Sequence, residues 1–192
     1  MRKRIRGDEW MAHINLPAGA PGIIGPMTAF PETEVYLNGL AQVLLRGESS
    51  LTSAERELIA THVSNGNKCF FCTQAHAATA RELYGSDAQI VDLILSGAEI
   101  KPVSEKMQAL LMIVDKVRLD GRLVAEMDVE RARAAGADDK AIHDTVLIAA
   151  AFCMFNRYVD GLGTWAPQEP AIYQRIGEML ASNGYTNSIQ RE

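Results

Sequence analysis

The sequence predicts an all-α fold. Apolar residues recur at helical spacing, Ala and Leu are abundant while aromatics make up only 6%, and no run alternates with the two-residue period of a strand. Apolar residues reach 47% of the 192, enough to build one sizeable core. The expected organisation is an N-terminal extension and arm over residues 1–31, a helical domain over 32–183 and a polar tail over 184–192.

About eight helices are expected. Residues 12–31 hold four of the seven prolines and read as an extended arm wrapped on the body or on a neighbour. Met11 is an alternative start, which makes residues 1–10 an extension. Pro31 opens the first helix, to about Arg46. Thr52-Ser53-Ala54-Glu55 is a capping box that starts the second, which ends near Asn65-Gly66 with glycine in the left-handed cap. Asn67 is the expected cap of the third, through about Tyr84. Ser86 to Gln89 opens a short fourth helix closed by Gly97, and Pro102 and Ser104 precede a fifth carrying Met107, Leu110, Leu111 and Val114. A sixth covers roughly 124–135. A seventh, about 139–162, holds the longest apolar run, Val146 to Phe155, and is either the central helix or an oligomer contact. Pro167 and Pro170 introduce the last.

Composition narrows the function. The net charge is −5 with both signs mixed, so no basic stripe suggests nucleic acid. No run approaches the ~20 apolar residues of a membrane helix, and no apolar signal core follows the first basic residues. A cytoplasmic protein is expected. Its three cysteines, Cys69, Cys72 and Cys153, do not make a secreted disulfide framework, and a C-x-x-C in a cytosolic chain points to redox or metal chemistry.

The informative stretch runs from Glu55 to His76. With Asn67 as cap, Cys69 falls in the first turn, where free N–H groups and the helix dipole favour a thiolate and Lys68 adds positive charge. Cys72 and His76 follow at three and seven residues, on the same helical face. Glu57, Thr61 and Ser64 form a polar stripe on the preceding helix. A tight turn brings that helix back, so Glu57 can stand behind His76 and raise its basicity.

These residues resemble the alkylhydroperoxidase D-like (AhpD-like), peroxidase-related branch of the carboxymuconolactone decarboxylase family. Its signature is a Glu, a Cys twelve residues on that opens C-x-x-C, and a His four beyond the second Cys, as in Glu57, Cys69, Cys72 and His76. P-G-I-I-G-P near Pro21, F-P-E-T at Phe30 and N-R-Y-V-D-G-L-G from Asn156 extend the resemblance over about residues 14–165. It implies an AhpD-like helical fold and homo-oligomers (dimer, trimer or hexamer). It also implies reduction of organic hydroperoxides by a redox-active Cys69–Cys72 disulfide with no other cofactor, and a dithiol partner as reductant. In that scheme Cys72 attacks the peroxide and Cys69 resolves it, whereas the helix-dipole argument alone selects Cys69. Phe71 stands where well-known members carry a His, and with Phe70 it makes an apolar collar that weakens the relay, restricts access or suits an apolar hydroperoxide. Phe70, Phe71, Thr61 and Arg157 are the pocket candidates.

The competing readings are general dithiol/disulfide exchange, a zinc-binding scaffold with Cys69, Cys72, His76 and Glu57 as ligands, and the decarboxylase or lactone chemistry of the wider family. His62 reads as structural or surface, His13 and His143 as solvent-facing, and Cys153 as inert core. Arg157 and Asp160 are expected to make a structural ion pair with Glu55 or Arg56.

Overall fold

The computed structural model describes residues 5–6, 9–10, 12–97 and 103–186. The expectations for Pro102, for the tail beyond 186 and for most of residues 1–11 lie outside them. Ile5–Arg6 (β1) pairs antiparallel with Glu9–Trp10 (β2). Everything else regular is helix: α1 (Ile24–Ala29), α2 (Pro31–Arg46), α3 (Ser53–Gly66), α4 (Phe70–Tyr84), α5 (Gln89–Leu95), α6 (Glu105–Leu119), α7 (Glu126–Ala134), α8 (Asp139–Gly161) and α9 (Pro170–Asn183). The fold is all-α, as the composition and spacing imply.

Most starts follow the local chemistry. Thr52 accepts from the Glu55 amide while the Glu55 carboxylate accepts from the Thr52 amide, which completes the capping box. Ser104 caps α6 through the Met107 amide, and Pro31 and Pro170 sit in first turns where a missing N–H costs nothing. α8 is central: Thr145, Ile148, Ala149 and Phe152 are buried, and the helix packs on α3 and α6.

Two local expectations are corrected. The proline-rich arm is not wholly extended, because Ile24–Ala29 forms α1; Pro26 lies early enough in it that no intrahelical donor is lost. The α3–α4 turn is also built differently. Asn67 ends α3 rather than capping α4, and Lys68, not Gly66, takes the left-handed conformation at φ 62°. Gly66 is small for another reason: a Cβ there would lie 2.5 Å from the Arg118 Nε, and Arg118 donates to the Gly66 carbonyl at 3.1 Å. The turn returns the Cys69 amide to the Ser64 carbonyl at 3.1 Å. Asn156 of α8 fastens it, donating to Ser64 Oγ at 3.1 Å and accepting from Asn67 at 2.9 Å.

α9 lies along α4 with Gly177 at the crossing, where a Cβ would meet the Ala78 carbonyl carbon at 2.7 Å. Gly177→Ala must push the helices apart. It is expected to destabilise the fold by about 1–3 kcal/mol, an overpacking cost that thermal unfolding would register.

Candidate active site

The hairpin of α3 and α4 assembles the site. The helices run antiparallel, so Ser64 meets Cys69 at the turn and Glu57 meets His76 further along. The polar stripe of α3 faces inward: Glu57, Thr61 and Ser64 are each 0% exposed. His76 Nδ1 lies 2.8 Å from Glu57 Oε2. The other carboxylate oxygen, Oε1, takes Arg46 Nη2 at 2.7 Å and the Tyr185 hydroxyl at 2.6 Å. Burial opposes ionisation of Glu57, but the His76 charge and hydrogen bond, with Arg46 and Tyr185, outweigh it and hold the carboxyl below its usual range. A carboxylate only accepts, so His76 donates from Nδ1 and its Nε2 is left as the basic nitrogen. The imidazole is held edge-on against Phe152, with centroids 4.6 Å apart.

Cys72 precedes His76 by one helical turn and is 4% exposed; Cys69 is 0% exposed. Both are free thiols. Cys69 is the residue before the first turn of α4, so Cys72, not Cys69, lies within that turn. The Cys69 thiol is pushed well above its ordinary value, by its hydrogen bond to the Cys72 sulfur and then by burial. Asp160, at the end of α8, hydrogen-bonds Cys69; burial raises this carboxyl and the thiol contact opposes the rise.

An apolar wall closes over the sulfurs. Phe71, Ala75, Val159 and Tyr173 form a cluster with the two cysteines, and Ile23 of the arm packs on it. Gly22 has φ 54° and donates its amide to the Trp165 carbonyl at 2.7 Å. Its missing Cβ leaves room for the Phe71 ring, which would otherwise lie 2.1 Å away. Phe70 is 44% exposed and stands edge-on to Tyr173, so the collar has one inner and one outer ring. A 310 Å³ cavity between α4 and α9, lined by Gln74, Arg81, Tyr173 and Gln174 among others, meets the cluster at Tyr173.

Residues 31–115 match the carboxymuconolactone decarboxylase family. The solved structures with similar folds include an uncharacterized peroxidase-related protein from Silicibacter sp. TM1040, 29% identical, with a TM-score of 0.70 over 78% of each chain. A protein of unknown function from Agrobacterium tumefaciens, described as a candidate antioxidant defence protein AhpD, is 25% identical with a TM-score of 0.66 over 77% of this chain and 99% of its own. The chain is similar to AhpD-like, peroxidase-related proteins and carries a segment that matches that family. An AhpD core from Ralstonia eutropha JMP134, an uncharacterized peroxidase-related protein, shares the fold at 24% identity and a TM-score of 0.73, over 82% of this chain and 80% of its own. No curated protein is a significant match. No helix among the described residues is long and apolar enough to cross a membrane.

Within the site, several residues lie elsewhere than expected. Thr61 does not open onto a pocket; its hydroxyl donates to the Glu57 carbonyl at 2.8 Å and steadies α3. Arg157 is exposed and donates to the Cys153 carbonyl one turn back. The ion pair foreseen for Arg157 and Asp160 is replaced: Glu55 serves the capping box, Arg56 is buried on the Leu44 and Gly47 carbonyls, and Asp160 turns to Cys69. His62 pairs with Asp115 at 2.8 Å, and His143 with Asp144 at 3.0 Å. Cys153 is half-buried and takes a contact from Asn67 at 3.4 Å.

Sequence reasoning missed Arg46, Tyr185 and the contact of Asp160 with Cys69. The zinc set loses its fourth ligand, because both Glu57 oxygens are engaged by protein donors. Among the described residues no group of three or more His, Cys, Asp and Glu side chains is placed to hold a metal ion.

Proposed function

We propose that the chain reduces organic hydroperoxides with the Cys69–Cys72 pair, using His76 and Glu57 to move the proton. The observation that carries this reading is the buried 2.8 Å bond between Glu57 and His76, one helical turn from a cysteine whose sulfur meets a second thiol. The pair argues for thiol chemistry over the decarboxylation in the family's name, and the peroxidase-related relatives support it.

His76 Nε2 takes the Cys72 proton. The thiolate attacks one peroxide oxygen, the O–O bond breaks, and the alcohol leaves carrying that proton. Cys72 is now a sulfenic acid. The Cys69 sulfur then attacks Cys72, the S–O bond breaks, and the departing hydroxide takes up the Cys69 proton to leave as water; Asp160 stands at Cys69 to pass that proton on. Exchange with an external dithiol, which is oxidised, restores both thiols. The wall of Phe71, Tyr173 and Ile23 suits an apolar peroxide substituent.

The test uses reduced protein and one equivalent of cumene hydroperoxide. Two thiols per chain should disappear, and dithiothreitol should restore them. Intact thiols together with stoichiometric zinc would replace this reading with the metal-binding one.

A further inference from the structure

The segment after α9 supplies the buried dyad with a group that the cysteine motif lacks. Gly184 turns the chain with φ 68°, and the Tyr185 amide donates to Gln42 Oε1 at 2.7 Å. Arg46, one turn further along α2, donates to the Leu180 carbonyl at 3.0 Å and lies over the Tyr185 ring, 5.2 Å from its centroid. These contacts fasten the segment to α2. They deliver the Tyr185 hydroxyl to Glu57 Oε1 at 2.6 Å and lay its ring nearly parallel to His76, 17° between planes. The residue is 8% exposed. Burial, with the Glu57 charge beside it, drives the phenol well above its ordinary value, so it stays a donor wherever the site works. Its hydrogen goes to Glu57, because His76 Nδ1, 3.3 Å away, is itself donating to Oε2.

We propose that Tyr185 is a positioning residue of the redox site: its hydroxyl fixes the Glu57 carboxylate, which fixes the His76 tautomer and leaves Nε2 free to take the Cys72 proton. The inference rests on the thiol-oxidation reading of the same site. The charged and titratable groups facing Glu57 are Arg46 from α2, Arg56 beside it on α3, His76 from α4 and Tyr185; α8 presents the apolar Phe152 to the imidazole. Removing the hydroxyl takes away one of the donors that favour the Glu57 anion. Glu57 then protonates at higher pH.

The experiment compares full-length wild type with Tyr185→Phe, with Cys72→Ser as a control on the chemistry. Two quantities are followed against pH: the single-turnover rate of thiol loss with cumene hydroperoxide, and the nitrogen-15 shifts of the His76 ring. Tyr185→Phe is expected to slow oxidation about tenfold or more, below the full loss of a positioned base. The acid limb of the rate should move to higher pH, and the two His76 ring nitrogens should lose the shift pattern of a single fixed tautomer. A purely structural role would lower the melting temperature and move neither. An unchanged acid limb with unchanged ring shifts therefore overturns the proposal, whatever happens to stability. If Cys72→Ser still turned over, the redox reading would fall while the ring shifts continued to decide the role of Tyr185.

Discussion

Cys72→Ser is expected to abolish hydroperoxide-driven thiol loss, a fall of at least about 10²-fold, the smallest contribution expected from a positioned base alone. Cys69→Ser is expected to differ: it should react once with a peroxide and stop at a sulfenic acid that a dimedone trap captures. The asymmetry follows from the start of α4. Cys69 lies outside the helix and is fully buried, and burial opposes its ionisation. Cys72 lies in the first turn of α4, and His76 follows one turn later with its Nδ1 held on Glu57. Stopped-flow thiol loss with each variant checks the order. Full turnover by Cys72→Ser, or a trapped sulfenic acid on Cys69, would reverse the assignment.

Glu57 carries the second large effect, on rate and on stability together. Glu57→Ala leaves the Arg46 guanidinium buried without its carboxylate, and breaking such a pair from one side costs about 3–5 kcal/mol. Oxidation should slow by about 10²–10⁴, because His76 loses the acceptor that sets its tautomer. The pH dependence has a defined sign. The Glu57 carboxyl is held below its usual range in the fold, so the unfolded chain protonates first as pH falls. The stabilisation is therefore complete above the ordinary carboxylate value and is lost as pH falls through the lowered one. Denaturant unfolding followed from neutral to acid pH should show this loss in wild type, and a smaller loss in Glu57→Gln.

Much of this was legible in the sequence. The capping box at Thr52, the Ser104 cap and the first-turn prolines Pro31 and Pro170 marked helix starts through local hydrogen bonding, which needs no tertiary context. The spacing from Glu57 to His76 was readable because an antiparallel hairpin of two helices maps sequence distance onto contact. What failed was whatever depends on a third element. Arg46 closes α2 in the manner of an ordinary basic residue near a helix C-terminus, and nothing local reveals that it points inward at Glu57. Tyr185 stood in a segment read as a polar tail. Its one signal was position: an aromatic just after a left-handed glycine, where a side chain often folds back onto its helix. The exchange of cap roles between Asn67 and Cys69 was invisible for a related reason. Lys68 adopts a conformation that its residue type disfavours, and the Asn156 hydrogen bonds from α8 help to hold the turn in place.

The most direct measurement is peptide mapping of the reduced protein after a single turnover with cumene hydroperoxide under non-reducing conditions. An intramolecular bridge joining Cys69 to Cys72, with Cys153 still a free thiol, is the predicted product. Oxidation confined to Cys153, a bridge between chains, or two untouched thiols in the α4 pair would contradict it.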